Sequence, residues 1–339
     1  MQFINDLKNK DAKKLLMESG LYLVLIALIV VIIIKEPSFL SFRNMRNILT
    51  QSSVRTILAL GVAGIIVTQG TDLSVGRQVG LSAVISATLL QSMTNVNKVF
   101  PHLETLSVPT VLLIVGVIGG FVGLLNGVVV AYLNVTPFVA TLGSMIIIYG
   151  ANSLYYDYVG ASPIAGFDPR FTDFAQGFFK IAGFRFNYLI IYAAIAVVLI
   201  WMLWNKTTFG KNVFAVGGNP EAAKVSGVNV KKTLLFVYTL SGVFYAVGGM
   251  LEAGRVGSAT NNLGNMYELD AIAACVVGGV SFSGGVGSVL GVVTGVIIFT
   301  VINYGLTYIG VNPYWQYIIK GLIIIIAVAL DTLKYVKKK

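Results

Sequence analysis

About ten runs of apolar residues divide this chain, and they leave it few ways to fold. A bilayer core needs roughly twenty apolar residues per helix, fewer where flanking side chains snorkel. Inside that core every backbone N–H and C=O must find a partner within the protein, so such runs form helices rather than open sheets. The runs fall near residues 18–35, 54–70, 74–93, 108–133, 137–155, 187–205, 233–252, 268–283, 286–306 and 314–332. The expectation is an all-α fold, a polytopic membrane helix bundle of about ten transmembrane helices forming one domain over residues 1–339. Composition agrees, with 56% hydrophobic residues against 11% charged; the solvent for such a chain is lipid.

A net charge of +10 raises nucleic acid as a partner, but the bases sit at segment ends and in loops and are not interleaved with aromatics. Positive-inside topology accounts for them, and no nucleic-acid partner is expected. Cys275, the one cysteine, lies in an apolar run, so neither a disulfide framework nor a multi-cysteine metal site is expected. His102, the one histidine, falls in a polar loop as a solvated side chain, and no catalytic or metal constellation is evident. The apolar run Leu21 to Ile34 ends at Lys35-Glu36-Pro37 without a small-residue cleavage site, and reads as an uncleaved first span.

Basic residues set the orientation. The segment 205–232 carries Lys206, Lys211, Lys224, Lys231 and Lys232 against Glu221, and the tail ends in Lys334, Lys337, Lys338 and Lys339. Both belong in the cytosol. Six expected spans before that segment and four after it put the amino terminus there too, with Lys8, Lys10, Lys13 and Lys14. Arg43, Arg46 and Arg55 then fall on the outer side, against the rule; an interfacial helix at Ser41 to Thr50 is one explanation and a miscounted early span the other. The largest outer segment, about 156–187, is charge-balanced and rich in Phe and Gly, and reads as a lid, a docking surface or a loop packed over the bundle.

Within the cytosolic segment lies a complete short helix. Asn219 suits an N-cap, Pro220 the first helical position and Glu221 the positive end of the dipole; Ala222 and Ala223 are good helix formers, Lys224 favours the negative end, and Gly227 supplies a left-handed stop. So short a helix is marginal alone in water, which points to a partner's groove as its stabiliser.

Glycines recur every fourth residue at Gly119, Gly123 and Gly127, and again at Gly287, Gly291 and Gly295. Each set exposes backbone along a helix face, for packing inside the bundle or for a dimer contact. Two glycine-bounded breaks, Gly70 to Gly76 and Gly279 to Gly285, resemble each other in following one span and preceding the next. Such breaks mark tight turns or discontinuous helices along a substrate path. Asp72 reads either as a functional intramembrane acid partnered by Arg77 or as a structural cap of the third span. Glu268 and Asp270 read as caps of the eighth.

The runs Gly-Thr-Asp-Leu-Ser-Val-Gly at 70–76, Thr-Pro-Phe-Val-Ala-Thr-Leu-Gly at 136–143, Phe-Gly-Lys-Asn-Val-Phe-Ala-Val-Gly-Gly-Asn-Pro-Glu-Ala-Ala at 209–223 and Tyr-Glu-Leu-Asp-Ala-Ile-Ala-Ala at 267–274 resemble the permease subunits of bacterial ribose-type sugar ABC importers. Thr50 to Arg55, Tyr155 to Pro163 and Gly310 to Tyr317 are most similar to the galactose/methyl-galactoside members of that family from enteric-type bacteria. The resemblance implies the ABC importer permease fold in the bacterial inner membrane, working with a second copy of the permease. It further implies cytosolic ATP-binding cassettes, usually two fused in one polypeptide, and a periplasmic sugar-binding protein. ATP and magnesium would belong to the cassette partner, leaving this chain neither an enzyme nor a cofactor carrier. No Gly-x-x-x-x-Gly-Lys-Ser/Thr phosphate loop occurs, and Gly210-Lys211 lacks the rest of one. The resemblance makes Asn219 to Gly227 the motif that engages the ATPase. Asp72, Ser74, Asn126, Thr141, Ser281 and Ser283, polar residues near the breaks, are the candidates for lining the path. The alternatives are another monosaccharide such as ribose, or an ion-coupled secondary transporter, for which only Asp72 is a well-placed acid.

Overall fold

The computed structural model describes residues 24–181 and 183–336; the amino-terminal lysines, the start of the first expected span and the last three lysines lie outside them. Thirteen helices follow in chain order: α1 (Val24–Lys35), α2 (Phe42–Val67), α3 (Val75–Leu89), α4 (Val108–Ala131), α5 (Pro137–Tyr158), α6 (Pro169–Gln176), α7 (Leu189–Lys206), α8 (Thr208–Gly218), α9 (Pro220–Val225), α10 (Val230–Val256), α11 (Tyr267–Val277), α12 (Val289–Tyr308) and α13 (Pro313–Val336). Seven of these are long and apolar enough to cross a membrane: α2, α4, α5, α7, α10, α12 and α13. The shorter helices α1, α3 and α11, of which α1 is apolar, lie at the other three expected spans. Two antiparallel strand pairs qualify the all-α expectation. They join β1 (Ile164–Ala165) to β4 (Ser258–Ala259) and β2 (Phe178–Ile181) to β3 (Phe184–Asn187).

α10 is the axis of the bundle and α4 its closest neighbour. The glycine repeat makes that approach possible, since a Cβ at Gly119 would overlap the Gly242 carbonyl and one at Gly123 the Tyr238 carbonyl. The second repeat seats α12 on α11: a Cβ at Gly291 would strike the Gly278 carbonyl and one at Gly295 the Ala274 carbonyl. Both glycine faces are thus used inside the chain, and neither is left for a dimer contact. α2 is the most enclosed long helix, with 78% of its apolar window buried, against 17% for α5 and 11% for α13. The latter two present apolar side chains outward, as lipid-facing helices can without a hydrophobic penalty.

Several expected boundaries move. The second span begins at Phe42 rather than residue 54, and Ser41 to Thr50 is no separate interfacial helix: Ser41 Oγ caps α2 by accepting from Asn44 N. The eighth span stops at Val277 rather than 283, and the break after it is correspondingly wider. The expected loop over 156–187 holds α6, whose N-cap Asp168 accepts from Arg170 N at 2.9 Å, followed by the β2–β3 hairpin.

Arg55 is not an outer-surface base. It pairs with Asp270, which also binds Lys320 Nζ at 2.8 Å, so that α2, α11 and α13 share one buried carboxylate. Beside this triad Glu252 holds Arg255 and accepts from the Tyr267 hydroxyl at 2.6 Å. Glu268 and Asp270 both lie in the first turn of α11, where acids were expected, and Asp270 is in addition the hub of an ion-pair network; the N-cap is Met266, whose side chain makes no capping bond. One of the three arginines that opposed the orientation rule is thereby explained by burial. Arg43 and Arg46 remain on the first turns of α2.

Candidate functional site

One end of the bundle gathers the termini of α2, α8, α11 and α12, and α9 projects from it. α9 is built as its sequence dictates. Asn219 Oδ1 accepts from Ala222 N at 3.0 Å, Pro220 takes the first position, and Glu221 and Lys224 occupy the first and last turns. At the other end Val228 N donates to the Ala223 carbonyl and Gly227 N to the Lys224 carbonyl, both at 3.0 Å, with Gly227 at φ +85°. This pair of bonds is the Schellman stop, and it turns the chain sharply into α10. Ala223 faces inward, whereas Glu221, Ala222, Lys224 and Val225 are exposed, Val225 at 89%. A groove of about 520 Å³ runs alongside, bounded by α9, the start of α10 and the α4–α5 turn at Asn134.

α8, which sequence patterning did not separate from the polar segment, carries α9. Thr207 Oγ1 caps it by accepting from Gly210 N at 3.1 Å, and Asn219 alone separates the two helices. Phe214 packs edge-on to Trp204 of α7, and Phe209 to Phe236 of α10. At its far end Gly217 lies against the Val67 carbonyl so tightly that any Cβ would overlap it. Val67 O accepts from Gly285 N at 2.8 Å. Gln69 Nε2 donates to the Gly217 carbonyl at 2.7 Å and to the Ser283 carbonyl at 3.0 Å. The two chain breaks expected from sequence, after α2 and after α11, thus meet each other on the last turn of α8.

Gln69 makes these bonds from the left-handed region, at φ 62°. That conformation costs a non-glycine residue about 1–2 kcal/mol. It persists because the carboxamide is held from two sides. Sequence reasoning singled out neither Gln69 nor Gly217; the one local signal was the position of Gln69 directly before the first break.

The expected path residues form two groups. Asp72 Oδ1 accepts from Ser74 N at 2.8 Å and from Ser74 Oγ at 2.6 Å, while Gln78 Nε2 and Asn126 Nδ2 donate to Ser74 Oγ at 2.9 and 3.2 Å. Thr141 Oγ1 accepts from Leu73 N at 3.1 Å. Asp72, Ser74, Asn126 and Thr141 are all buried and tie the first break to α4 and α5. Ser281 and Ser283 lie in the second break, where Ser281 Oγ accepts from Ser283 N at 3.1 Å; Ser281 is buried and Ser283 exposed. Asp72 is not partnered by Arg77, which turns away to Asn262 and Asn265. Among the described residues no group of three or more His, Cys, Asp or Glu side chains is placed to hold a metal.

Comparison with known proteins is consistent with this architecture. Residues 44–328 match the family described as branched-chain amino acid transport system / permease component. The chain is 71% identical to the galactose/methyl galactoside import permease protein of Escherichia coli K12, over 98% of this chain and 99% of that one. It is 69% identical to the protein of the same description from Haemophilus influenzae, over 98% of each. It is 35% identical to the ribose import permease protein of Bacillus subtilis, over 93% of this chain and 92% of the other. No solved structure matches it.

Proposed function

The chain belongs to the branched-chain amino acid transport system / permease component family, and from that premise we propose that it is the membrane-spanning subunit of an ATP-driven importer of galactose and methyl galactoside. The substrate reading rests on the relatives at 71% and 69% identity, whose printed substrate is galactose/methyl galactoside, against 35% for a ribose permease. Its place is the bacterial inner membrane, with α9 and both termini on the cytosolic side. The partners are a second copy of the permease, a cassette ATPase with two cassettes in one chain, which holds the ATP and magnesium, and a periplasmic sugar-binding protein.

The observation that carries the mechanism is the joint at Gly217. In this reading α9 fits a surface groove of the ATPase through Glu221, Ala222, Lys224 and Val225, with Asn219, Pro220 and Gly227 keeping it helical and Ala223 seating it on the bundle. Movement of the ATPase displaces α9; the single-residue link at Asn219 passes that displacement to α8. Gly217 and Gln69 then deliver it to both breaks at once. The breaks end α2 and α11 and begin α3 and α12, so their movement rocks four helices and exposes the path alternately to the two sides. ATP binding biases the equilibrium by stabilising one arrangement of the ATPase over the other. Asp72, Ser74, Asn126, Thr141, Ser281 and Ser283 shape the inner end of that path by holding the backbone of the breaks.

Uptake by vesicles containing the permease, its ATPase and the binding protein tests the reading. Galactose accumulation should stop on ATP depletion and survive collapse of the proton gradient. Accumulation driven by the gradient with no ATPase present would establish an ion-coupled transporter instead.

A further inference from the structure

An arginine stands on an open face of the bundle at about half the depth of a bilayer. Arg77 Nη2 donates to Asn265 Oδ1 at 2.9 Å and Nη1 to Asn262 Oδ1 at 3.4 Å, and its guanidinium lies 4.2 Å from the ring centre of Tyr149. Both asparagines are exposed, and so are Tyr149, Met266 and Leu269 around them, at 40%, 38% and 37%. Among the described residues no carboxylate is within ion-pair distance of Arg77.

The depth follows from residue counts along two helices, with their ends taken at the membrane faces. Arg77 is twelve residues from Leu89 at the far end of α3, and Tyr149 twelve from Pro137 at the start of α5. At 1.5 Å per residue each is about 18 Å from the end named, in a hydrocarbon core about 30 Å thick. Asn262 and Asn265 belong to an irregular segment, 260–266, which follows the β1–β4 pair and runs on until Gly264 packs on the carbonyl of Gly76. Lipid tolerates neither feature. Intramembrane arginines face a bundle interior or water, and non-helical backbone at this depth must be buried or line an aqueous cavity.

The donor and acceptor pattern narrows what such a cavity receives. Arginine has only donors, so it holds each asparagine by the carboxamide oxygen and leaves each NH₂ facing outward. The patch therefore presents two amide donors, a phenol and the guanidinium edge beside an aromatic ring, with the half-buried Glu268 carboxylate against Gly76 as an acceptor at its edge. Such a surface suits a neutral molecule with many hydroxyl oxygens.

We propose that Arg77, Tyr149, Asn262 and Asn265 form a mid-membrane contact site for a neutral hexose or hexoside on the wall of the translocation path. The site rests on the sugar-importer reading and adds to it a place and a set of residues. The hydrogen bonds among Asp72, Ser74 and Gln78 hold the first turn of α3, on which Arg77 stands.

Cysteine accessibility in the assembled importer tests the proposal. Cys275→Ser removes the one native thiol, and Asn262→Cys or Asn265→Cys is then compared with Leu113→Cys and Val198→Cys, exposed apolar positions on α4 and α7. A membrane-impermeant methanethiosulfonate should modify positions 262 and 265 at least about tenfold faster than 113 and 198, the contrast expected of water against hydrocarbon, and saturating galactose should slow that reaction. Equal rates at all four positions would overturn the site, and fast reaction unaffected by galactose or ribose would remove its sugar contact. If ribose protects and galactose does not, the contact site stands and the choice of sugar falls. Arg77→Lys, which keeps the charge but loses the planar fork, should lower uptake while leaving assembly with the ATPase intact; undiminished uptake counts against a role for the fork.

Discussion

Gln69 shows how much can depend on one side chain. It occupies a left-handed backbone conformation while its amide joins two breaks to α8. Gln69→Gly removes the conformational cost along with two hydrogen bonds worth about 1 kcal/mol each. Stability should therefore change by about 1 kcal/mol or less, while uptake per ATP hydrolysed falls sharply. Simultaneous measurement of transport and hydrolysis in vesicles checks this, and an unchanged ratio would mean that Gln69 transmits nothing. Asp270 behaves differently. Asp270→Ala leaves the half-buried Arg55 and Lys320 without the carboxylate they share, and since loss of one partner from a fully buried pair costs about 3–5 kcal/mol, the cost here should approach the lower end of that range. Thermal inactivation should begin well below that of the unaltered protein, whereas replacing all three residues by apolar ones of similar volume should restore most of the loss. Neither residue was recognisable from sequence in these roles. The bonds of Gln69 to Gly217 and of Arg55 to Asp270 span 148 and 215 residues of chain, and no local pattern records a contact at such a distance.

Among the elements, α9 was the most legible, because everything that starts and stops it acts within one turn. Asn219, Pro220 and Gly227 take the positions their chemistry favours, and the structure adds only the Schellman bond from Val228. Gly227→Val places a β-branched residue at φ +85° and should destabilise the stop by about 1–2 kcal/mol. The bundle should still insert, with ATP hydrolysis no longer tied to uptake; full transport by this variant would count against the lever. A helix falls at each of the ten expected spans, seven of them long and apolar enough to cross a membrane, and the boundaries were less legible: α2 starts twelve residues earlier and α11 stops six residues sooner than hydropathy suggests. α6 carries a pH dependence. The Arg170 guanidinium, hydrogen-bonded to the Asp168 carboxylate, holds its pKa below the usual aspartate range. The unfolded segment then takes up the proton first, so the contribution of Asp168 is complete above about pH 4 and vanishes as pH falls through the lowered value. Proteolytic nicking of the 156–187 segment should stay constant at neutral pH and accelerate only in that acid range. The large exposed fraction of Arg170 keeps the effect small.

At the scale of the whole molecule, two regions have different tasks. Tight glycine-mediated packing of α4 on α10 and of α12 on α11 makes rigid pairs, and the breaks at 68–74 and 278–288 are the joints between elements. A side chain introduced into a rigid pair should act on the entire fold: Gly123→Leu drives a side chain into the Tyr238 carbonyl and should prevent accumulation of folded protein, where Gly143→Leu, with open space around its Cα, should not. Folded protein recovered in similar yield from both would show that α4 and α10 are not held so closely. The joints converge on the last turn of α8, the helix that carries α9. Sequence revealed each of these parts separately, α9 through its caps and the breaks through their glycines; that the two breaks meet on α8 was visible only once the chain was folded.

The central claim is that a cytosolic ATPase grips the permease through α9, and a thiol at the exposed tip of that helix tests it most directly. Val225→Cys, in a Cys275→Ser background, should cross-link to the ATPase subunit in the assembled importer. An impermeant thiol reagent should label it in inside-out vesicles and leave it unlabelled in intact cells. Labelling from the periplasmic side, with no cross-link to the ATPase, would contradict the account.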